Sequence, residues 1–331
     1  MPERLGPPLA EPIVERLAII GLGLIGSSIA RVARRRNLAR VIVAGDASDE
    51  VRARVAELKL ADVVAPTLAE AARGADLVIL CAPVGAMEAI GAEIAPALKS
   101  GAIVSDVGSV KGAVVAALAA HLPAGVHLVP GHPVAGTEQS GPDAGFATLF
   151  HNRWFIITPP EGAEAAPVDR LVAFWRAAGS NVEIMTPAHH DLVLAITSHV
   201  PHLIAYNIVG TAADLEHVTQ SEVIKFSAGG FRDFTRIAAS DPIMWRDVFL
   251  ANKEAALEML GRFSEDLTVL QRAIRFGDGE TLQKLFAQAR ATRKGIIAAG
   301  QDTAAPDFGR QKSGSGTPAG ASTTDTPKPA S

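Results

Sequence analysis

LAIIGLGLIGSS, residues 17–28, sets an apolar run against glycines spaced as G-x-G-x-x-G, at Gly21, Gly23 and Gly26. The run is short enough for a buried strand. SSIARVARRR after it has helical spacing, with Ile29, Val32 and Ala33 on one face. A strand, a glycine turn and a helix in that order make a phosphate cradle. Gly21 permits the tight turn, Gly23 lets a pyrophosphate approach the backbone, and Gly26 lets helix and strand pack closely. The unpaired N–H groups of the helix start, at Leu24 and Ile25, face the phosphates. Asp46 ends the next apolar run, VIVAGD. A carboxylate there accepts from ribose hydroxyls and repels a 2′-phosphate, which favours NAD over NADP. The run Arg34-Arg35-Arg36 offers the opposite reading, a 2′-phosphate site. Its better explanation is a helix C-terminus before Asn37, where cations suit the dipole.

Outward from this turn the pattern repeats. DVVA (62–65), DLVILCA (76–82), AIVSDVGS (102–109) and VHLVPGH (126–132) are short apolar runs separated by Ala-rich segments of helical length. Strands alternating with helices predict a parallel sheet covered on both faces. FIITPP (155–160) and NVEIMTP (181–187) add two strands around the helix-like VDRLVAFWRAAG. From 187 to 300 every segment reads as helix. The expected organisation is a disordered N-terminus (1–14), a Rossmann-type α/β domain (15–186), an all-α domain (187–300) and a disordered tail (301–331). Four prolines in the first segment, and a last one rich in Ser, Thr, Gly, Pro and Ala, motivate the two disordered ends. In the helical half Ile243, Val248, Phe249, Leu250, Leu257, Met259 and Leu260 spread round a wide arc, more than one monomer face needs, which predicts a homodimer through these helices.

Composition limits the partners. Of 331 residues, 48% are hydrophobic and 20% charged, the balance of a chain with a sizeable core. A net charge of −4 gives no electrostatic case for nucleic acid. LAIIGLGLIG is too short to span a bilayer, so no membrane partner is expected. One cysteine, Cys81, excludes an internal disulfide framework, and the reading is cytoplasmic.

In an open parallel sheet ligands sit beyond the carboxyl ends of the strands. CAPVGA (81–86) is one such loop; Ala82 and Pro83 shape a path under a nicotinamide, and Cys81 reads as a small core residue. SDVGSVKG (105–112) is the next. Ser109 serves there as a helix N-cap, as a contact to substrate, or both. GHPVAGTEQSG (131–141) follows, too rich in Gly and Pro for a helix or strand. Its His132 precedes Pro133, which holds the backbone extended. A near-neutral imidazole fixed at the mouth of a dinucleotide fold suits proton removal from an alcohol as hydride leaves its carbon. In FRDFTRIAASDPIMW (231–245), Arg232 and Arg236 lie among Phe231, Phe234, Ile237 and Trp245. A partly buried arginine there would clamp a carboxylate. In HHDLVLAITSHVPHLIAY, Asp191, Ala195 and His199 share a stripe and Pro201 should kink the helix. Asp191, His199 and His202 are metal ligands by type, but a hydrogen-bonded cluster in the cleft suits them better, so no metal is expected.

GLGLIGSS, DVGSVKG, GHPVAGTEQSG, TSHVPH and GGFRDFTRIAASDPIMWRD together resemble the prephenate/arogenate dehydrogenases of tyrosine biosynthesis, over residues 16–300. The resemblance implies NAD-dependent oxidative decarboxylation of prephenate or arogenate, to 4-hydroxyphenylpyruvate or tyrosine. By that resemblance His132 accepts the proton of the ring hydroxyl and Ser109 orients it beside the nicotinamide. Arg236 binds a carboxylate, and Thr137, Glu138, His199, His202 and Ser240 line or gate the pocket. Some relatives carry a regulatory or fused mutase domain. Neither is expected here, so inhibition by tyrosine would act at the active site, and loose preference for the side chain is expected. A β-hydroxyacid dehydrogenase would use a helical-half lysine, and Lys225, Lys253, Lys284 and Lys294 lie in no convincing motif. A non-catalytic NAD-sensing protein would leave the base and the clamp unexplained.

Overall fold

Leu17, Ala18, Ile19 and Ile20 are all buried, as a strand in the middle of a sheet covered on both faces requires. They belong to β1 (Val14–Ile20) of a computed structural model that describes residues 5–137, 139–216 and 225–298. Around it run α1 (Leu24–Arg36), β2 (Ala39–Gly45), α2 (Asp49–Glu57), β3 (Val63–Val64), α3 (Leu68–Ala72), β4 (Leu77–Leu80), α4 (Met87–Ile94), β5 (Ile103–Asp106), α5 (Lys111–Ala119) and β6 (His127–Leu128). The strands form one parallel sheet in the order β3-β2-β1-β4-β5-β6. Side chains alternate between its faces. Leu17 and Ile19 meet Ile29, Val32 and Ala33 of α1, whereas Ala18 and Ile20 join the core that holds Met87 and Ile90 of α4 and Val114 and Leu118 of α5. The fold is the expected Rossmann-type domain.

The glycine turn is a packing constraint as well as a cradle. Gly21 has φ +92°, a conformation that disfavours any side chain. A Cβ on Gly26 would strike the Gly21 carbonyl. Asn37 closes α1 in the left-handed conformation, with Arg34, Arg35 and Arg36 in its last turn.

After β6 the chain leaves the parallel sheet. β7 (Gly131–Pro133), β8 (Trp154–Ile157) and β9 (Asn181–Ile184) make a second sheet, β7 antiparallel to β8 and β8 parallel to β9. Thus GHP is a strand, contrary to the reading of its Gly and Pro as loop-formers. Gly131 is required there because a Cβ would enter the Phe155 ring. Phe155 stacks on Trp175 of α6 (Ala165–Ala177) at 3.8 Å between centroids, which fastens this sheet to the α1 face.

The N-terminal segment also departs from expectation. Residues 5–13 are ordered against α1. Leu5 is buried, the Leu9 N–H donates to the Arg36 carbonyl, and Asn37 Nδ2 donates to the Leu9 carbonyl, both at 2.9 Å. Three prolines, Pro7, Pro8 and Pro12, lower the entropy cost of such an extended path, and two leucines reward it. The expected tail, 301–331, lies outside the described residues.

The helical half comprises α7 (Pro187–Leu194), a π-helical turn (Ala195–His199), α8 (Val200–Glu216), α9 (Gly229–Thr235), α10 (Pro242–Ala251), α11 (Lys253–Phe276) and α12 (Gly279–Ala298). The stretch Pro187–Leu215 is long and apolar enough by composition to cross a bilayer. Its buried polar groups, His190, Asp191 and His199, are instead bonded within the protein. Ile243, Leu250 and Leu257 are exposed in the single chain, with Phe276 and Phe286 beyond them, while Val248 and Met259 are buried.

Gly26→Ala should lower unfolding stability in urea by about 1–3 kcal/mol, the usual cost of forced overpacking. Gly23→Ala, which faces open space, should stay within about 0.5 kcal/mol of the parent.

Candidate active site

The start of α1 lacks what several other helix starts here possess. Ser48, Thr67, Thr186 and Asp241 cap α2, α3, α7 and α10 with side-chain acceptors. Gly23 offers α1 none, and no acidic residue lies in its first turn. The N–H groups of its first turn, those of Leu24 and Ile25 included, are therefore without a side-chain cap, and space above Gly23 is open. This geometry fits a dinucleotide pyrophosphate. Asp46 stands at the lip. Its Oδ2 accepts from Leu22 N–H at 2.8 Å and Oδ1 from Ser48 N–H at 2.9 Å. The carboxylate thus shapes the turn, a role not read from sequence. Arg34 pairs with Asp62 and Arg36 donates to the Ala177 carbonyl, so these two arginines have other work than a 2′-phosphate.

Beyond β5 lies a buried polar frame. The Lys111 ammonium is wholly buried against the Asp106 carboxylate and also donates to the Gly131 carbonyl at 2.8 Å. Asp106 accepts from Gly131 N–H at 3.1 Å and Gly108 N–H at 2.7 Å. Gly131 is therefore held from both its N–H and its carbonyl, which fixes the neighbouring His132. Ser109 does not cap α5. Val110 occupies the N-cap position, and the cap comes from the helical half. Asp191 accepts from Lys111 N–H at 2.7 Å and Gly112 N–H at 2.8 Å. Ser109 is half-buried between these groups, with its carbonyl beside the His199 ring.

His132 is buried, and its Nδ1 lies 2.9 Å from Nε2 of His190. Burial first, then the charges of His190, Lys111 and His199, hold its protonation well below the ordinary histidine range. It is neutral at neutral pH, as a base must be before it acts. His190 in turn bonds Asp191 Oδ1 through Nδ1 at 2.8 Å.

The other sequence candidates separate. Asp191, His199 and His202 do not converge on one point. His199 turns Nδ1 to Asn252 Nδ2 at 3.1 Å, and Asn252 also donates to the Asp191 carbonyl at 2.9 Å. His202 donates from Nδ1 to the Ser198 carbonyl and stacks on Trp245 at 3.7 Å. Arg236 lies in a short 3₁₀ turn (Arg236–Ala239), close enough for its charge to disfavour protonation of His202. Its segment is not buried within the chain as expected: Arg236 and Phe234 are exposed, and only Trp245 of the expected neighbours is buried. The Ser240 carbonyl accepts from Tyr206 Oη at 2.6 Å. Thr137 Oγ1 accepts from Gln139 N–H at 3.3 Å; Glu138 lies outside the described residues. Ala82 is half-buried and Pro83 exposed at the end of β4, and α10 covers that loop through Asp247 at Gly85. Burial and the Asp106 charge push the Cys81 thiol pKa up, which keeps it a neutral thiol.

Four residues escaped the sequence reading: Asp106, Lys111, His190 and Asn252. Lys111 opens the apolar segment KGAVVAALA, a setting that favours a paired buried cation over a solvated one. His190 follows the Thr186-Pro187 helix start by less than one turn, which turns it inward with Asp191.

Comparison with known proteins agrees with this architecture. Residues 29–184 match the family described as prephenate dehydrogenase, nucleotide-binding domain, and residues 186–288 its dimerization domain. A cyclohexadienyl dehydrogenase of Zymomonas mobilis is 43% identical over 281 residues, 85% of this chain and 96% of that protein. A prephenate dehydrogenase of Bacillus subtilis is 32% identical over 85% of this chain and 76% of its own. The crystal structure of an Aquifex aeolicus prephenate dehydrogenase, in complex with hydroxyphenyl propionate and NAD+, superposes with a TM-score of 0.79 at 33% identity. That match covers 85% of this chain and 98% of the other.

The histidine cluster makes stability depend on pH. His190 and His199 are neutral in the fold, with His199 lowered to about 4, mainly by burial. The unfolded chain takes up these protons near pH 6.5, so it binds more protons than the native state below that value. Stability should therefore be full above pH 7 and fall from about pH 6.5 towards 4, with a slope approaching ~1.4 kcal/mol per pH unit for each group. Asp191, depressed by its hydrogen bonds against the opposing effect of burial, adds its loss only at lower pH. Urea midpoints from pH 7.5 to 4.5 test this; a flat profile contradicts it.

Proposed function

The chain belongs to the prephenate dehydrogenase family, and from that premise we propose that it catalyses NAD-dependent oxidative decarboxylation of prephenate, arogenate or both. The observation that carries the reading is His132. A neutral imidazole is fixed beyond the carboxyl end of β5, on the same sheet edge as the α1 cradle. When bound there, a nicotinamide supplies the hydride acceptor. His132 takes the proton of the ring hydroxyl as the carbinol C–H electron pair departs, so a ketone forms across the ring from the carboxylate. Loss of that carboxylate as carbon dioxide sends its electron pair through the ring to the ketone oxygen, which takes back the proton held by His132, so that the product is a phenol and the base is restored. Ser109, beside His199, is proposed to orient the hydroxyl.

Arg236 is proposed as the carboxylate clamp, and Thr137, Glu138, His199, His202 and Ser240 as residues that line or gate the pocket. Its exposure within one chain accords with a pocket completed by a homodimer. The uncovered Ile243, Leu250, Leu257, Phe276 and Phe286 are the side chains a partner subunit would bury, and the matched dimerization domain supports the same reading. NAD rather than NADP follows from Asp46 at the lip of the turn and from the other partners of Arg34 and Arg36. The α/β and helical units are taken as 15–186 and 187–300, and the setting as the cytoplasm. Acceptance of both substrates is supported by the likeness to the Zymomonas mobilis cyclohexadienyl dehydrogenase.

The test is formation of reduced nicotinamide, with prephenate and arogenate each offered NAD and NADP. Turnover with NAD on at least one substrate is expected. His132→Asn should lower kcat by at least about a hundredfold, and Arg236→Gln should raise substrate KM by the equivalent of roughly 2–3 kcal/mol. Near-normal values in either variant would remove the corresponding role.

A further inference from the structure

We propose that His190 and Asp191 are positioning residues that lock His132 in its Nδ1–H form, leaving Nε2 as the base. The inference rests on the reading of His132 as the proton acceptor and names the atom that accepts. The argument counts hydrogens along a chain of three groups. The Asp191 carboxylate can only accept, and it takes Lys111 N–H and His190 Nδ1 on Oδ1 and Gly112 N–H on Oδ2. His190 must therefore carry its hydrogen on Nδ1. Buried and neutral, it has a lone pair on Nε2. The 2.9 Å contact between that atom and Nδ1 of His132 needs one hydrogen, and only His132 can supply it. The tautomer of His132 is set, and its acceptor is Nε2.

The surroundings keep the chain in place. Gly131 is held by Asp106 and Lys111, so the His132 backbone cannot drift. Asn252 holds the Asp191 carbonyl. The charged and titratable groups facing His132 are His190 and Asp191 from α7, Lys111 from α5 with Asp106 from β5, and His199 from the π turn. The Lys111 charge opposes an imidazolium, and Asp106 offsets it. When Nε2 takes the substrate proton, the Nδ1–H still donates to His190, and the Asp191 charge stabilises the cation through that ring. Neither His190 nor Asp191 needs to touch substrate.

Two measurements test this on the full-length protein. With ¹⁵N-labelled histidine at pH 7.5, the His132 resonances, assigned by their loss in His132→Asn, should show a protonated Nδ1 and an unprotonated Nε2. An Nε2–H form in the parent protein overturns the proposal whatever the variants do. His190→Leu should lower kcat by about tenfold to a hundredfold with KM for substrate and NAD within about threefold. It should also move the acid limb of the kcat profile. His190→Gln, whose amide oxygen can accept from Nδ1, should recover part of kcat. Unchanged kcat in His190→Leu overturns the proposal, and so does a loss that Gln leaves unrepaired in a folded variant. If His132→Asn itself keeps normal turnover, the reading of His132 as base has failed; if only the His190 variants are silent, the base stands and the tautomer lock alone falls.

Discussion

The Asp191 carboxylate joins the two halves of the molecule. It caps α5 of the nucleotide-binding half from its seat on α7 of the helical half, and it holds His190 with the same oxygen that takes Lys111 N–H. An anion belongs at a helix N-terminus, where the macrodipole and the orphan N–H groups favour it. Hydrogen bonds to a charged group contribute roughly 1.5–3 kcal/mol each, more than neutral ones. Because the acceptor comes from another element, capping α5 and docking α7 are one event. The α1 terminus, left bare, is the complementary case. One helix start is closed by a side chain of the other half, and the other is left without a side-chain cap.

The Asp106–Lys111 pair adds a second fixed point. Burying two charges is costly, and apolar replacements often do as well for stability alone. What an apolar pair cannot do is hold Gly131 from both its N–H and its carbonyl. That grip explains how a strand can form in a sequence as unpromising as GHP. β7 is stabilised less by the propensity of its residues than by ladder bonds to β8 and by these two side chains.

The same contrast explains what was legible in the sequence. The glycine turn, the parallel strands and the helical half announce themselves through periodicity and spacing, which are local. Asp46 was legible in position but not in its bond to Leu22 N–H, which depends on how closely β1 and β2 lie. Ser109 invited the N-cap reading because capping is usually local, yet here the cap lies 80 residues away. His132 was singled out by its own loop, whereas His190 has no signal until α7 is folded against β7. The exposed setting of Arg236 was hidden for a related reason: apolar neighbours in sequence do not say whether they are buried by this chain or by another.

The π turn at Ala195–His199 shows how one helix serves both halves. Pro201 was expected to bend the helix, and a widened turn precedes it. At about 100° per residue, the eight steps from Asp191 to His199 would carry the second side chain roughly 80° round the helix. A turn with i→i+5 bonding holds more residues, rotates less per residue, and takes back much of that angle. Both residues then reach one partner, since Asn252 bonds the Asp191 carbonyl and His199 Nδ1 together. With both donors of the Asn252 amide spent, His199 accepts at Nδ1 and keeps its remaining hydrogen on Nε2. Past the π turn the stripe changes character, and Ile208, Val209 and Leu215 stand exposed on α8. The polar first half of this long helix is thus committed to the buried cluster of His190, Asp191 and His199, and the apolar second half is uncovered in the single chain.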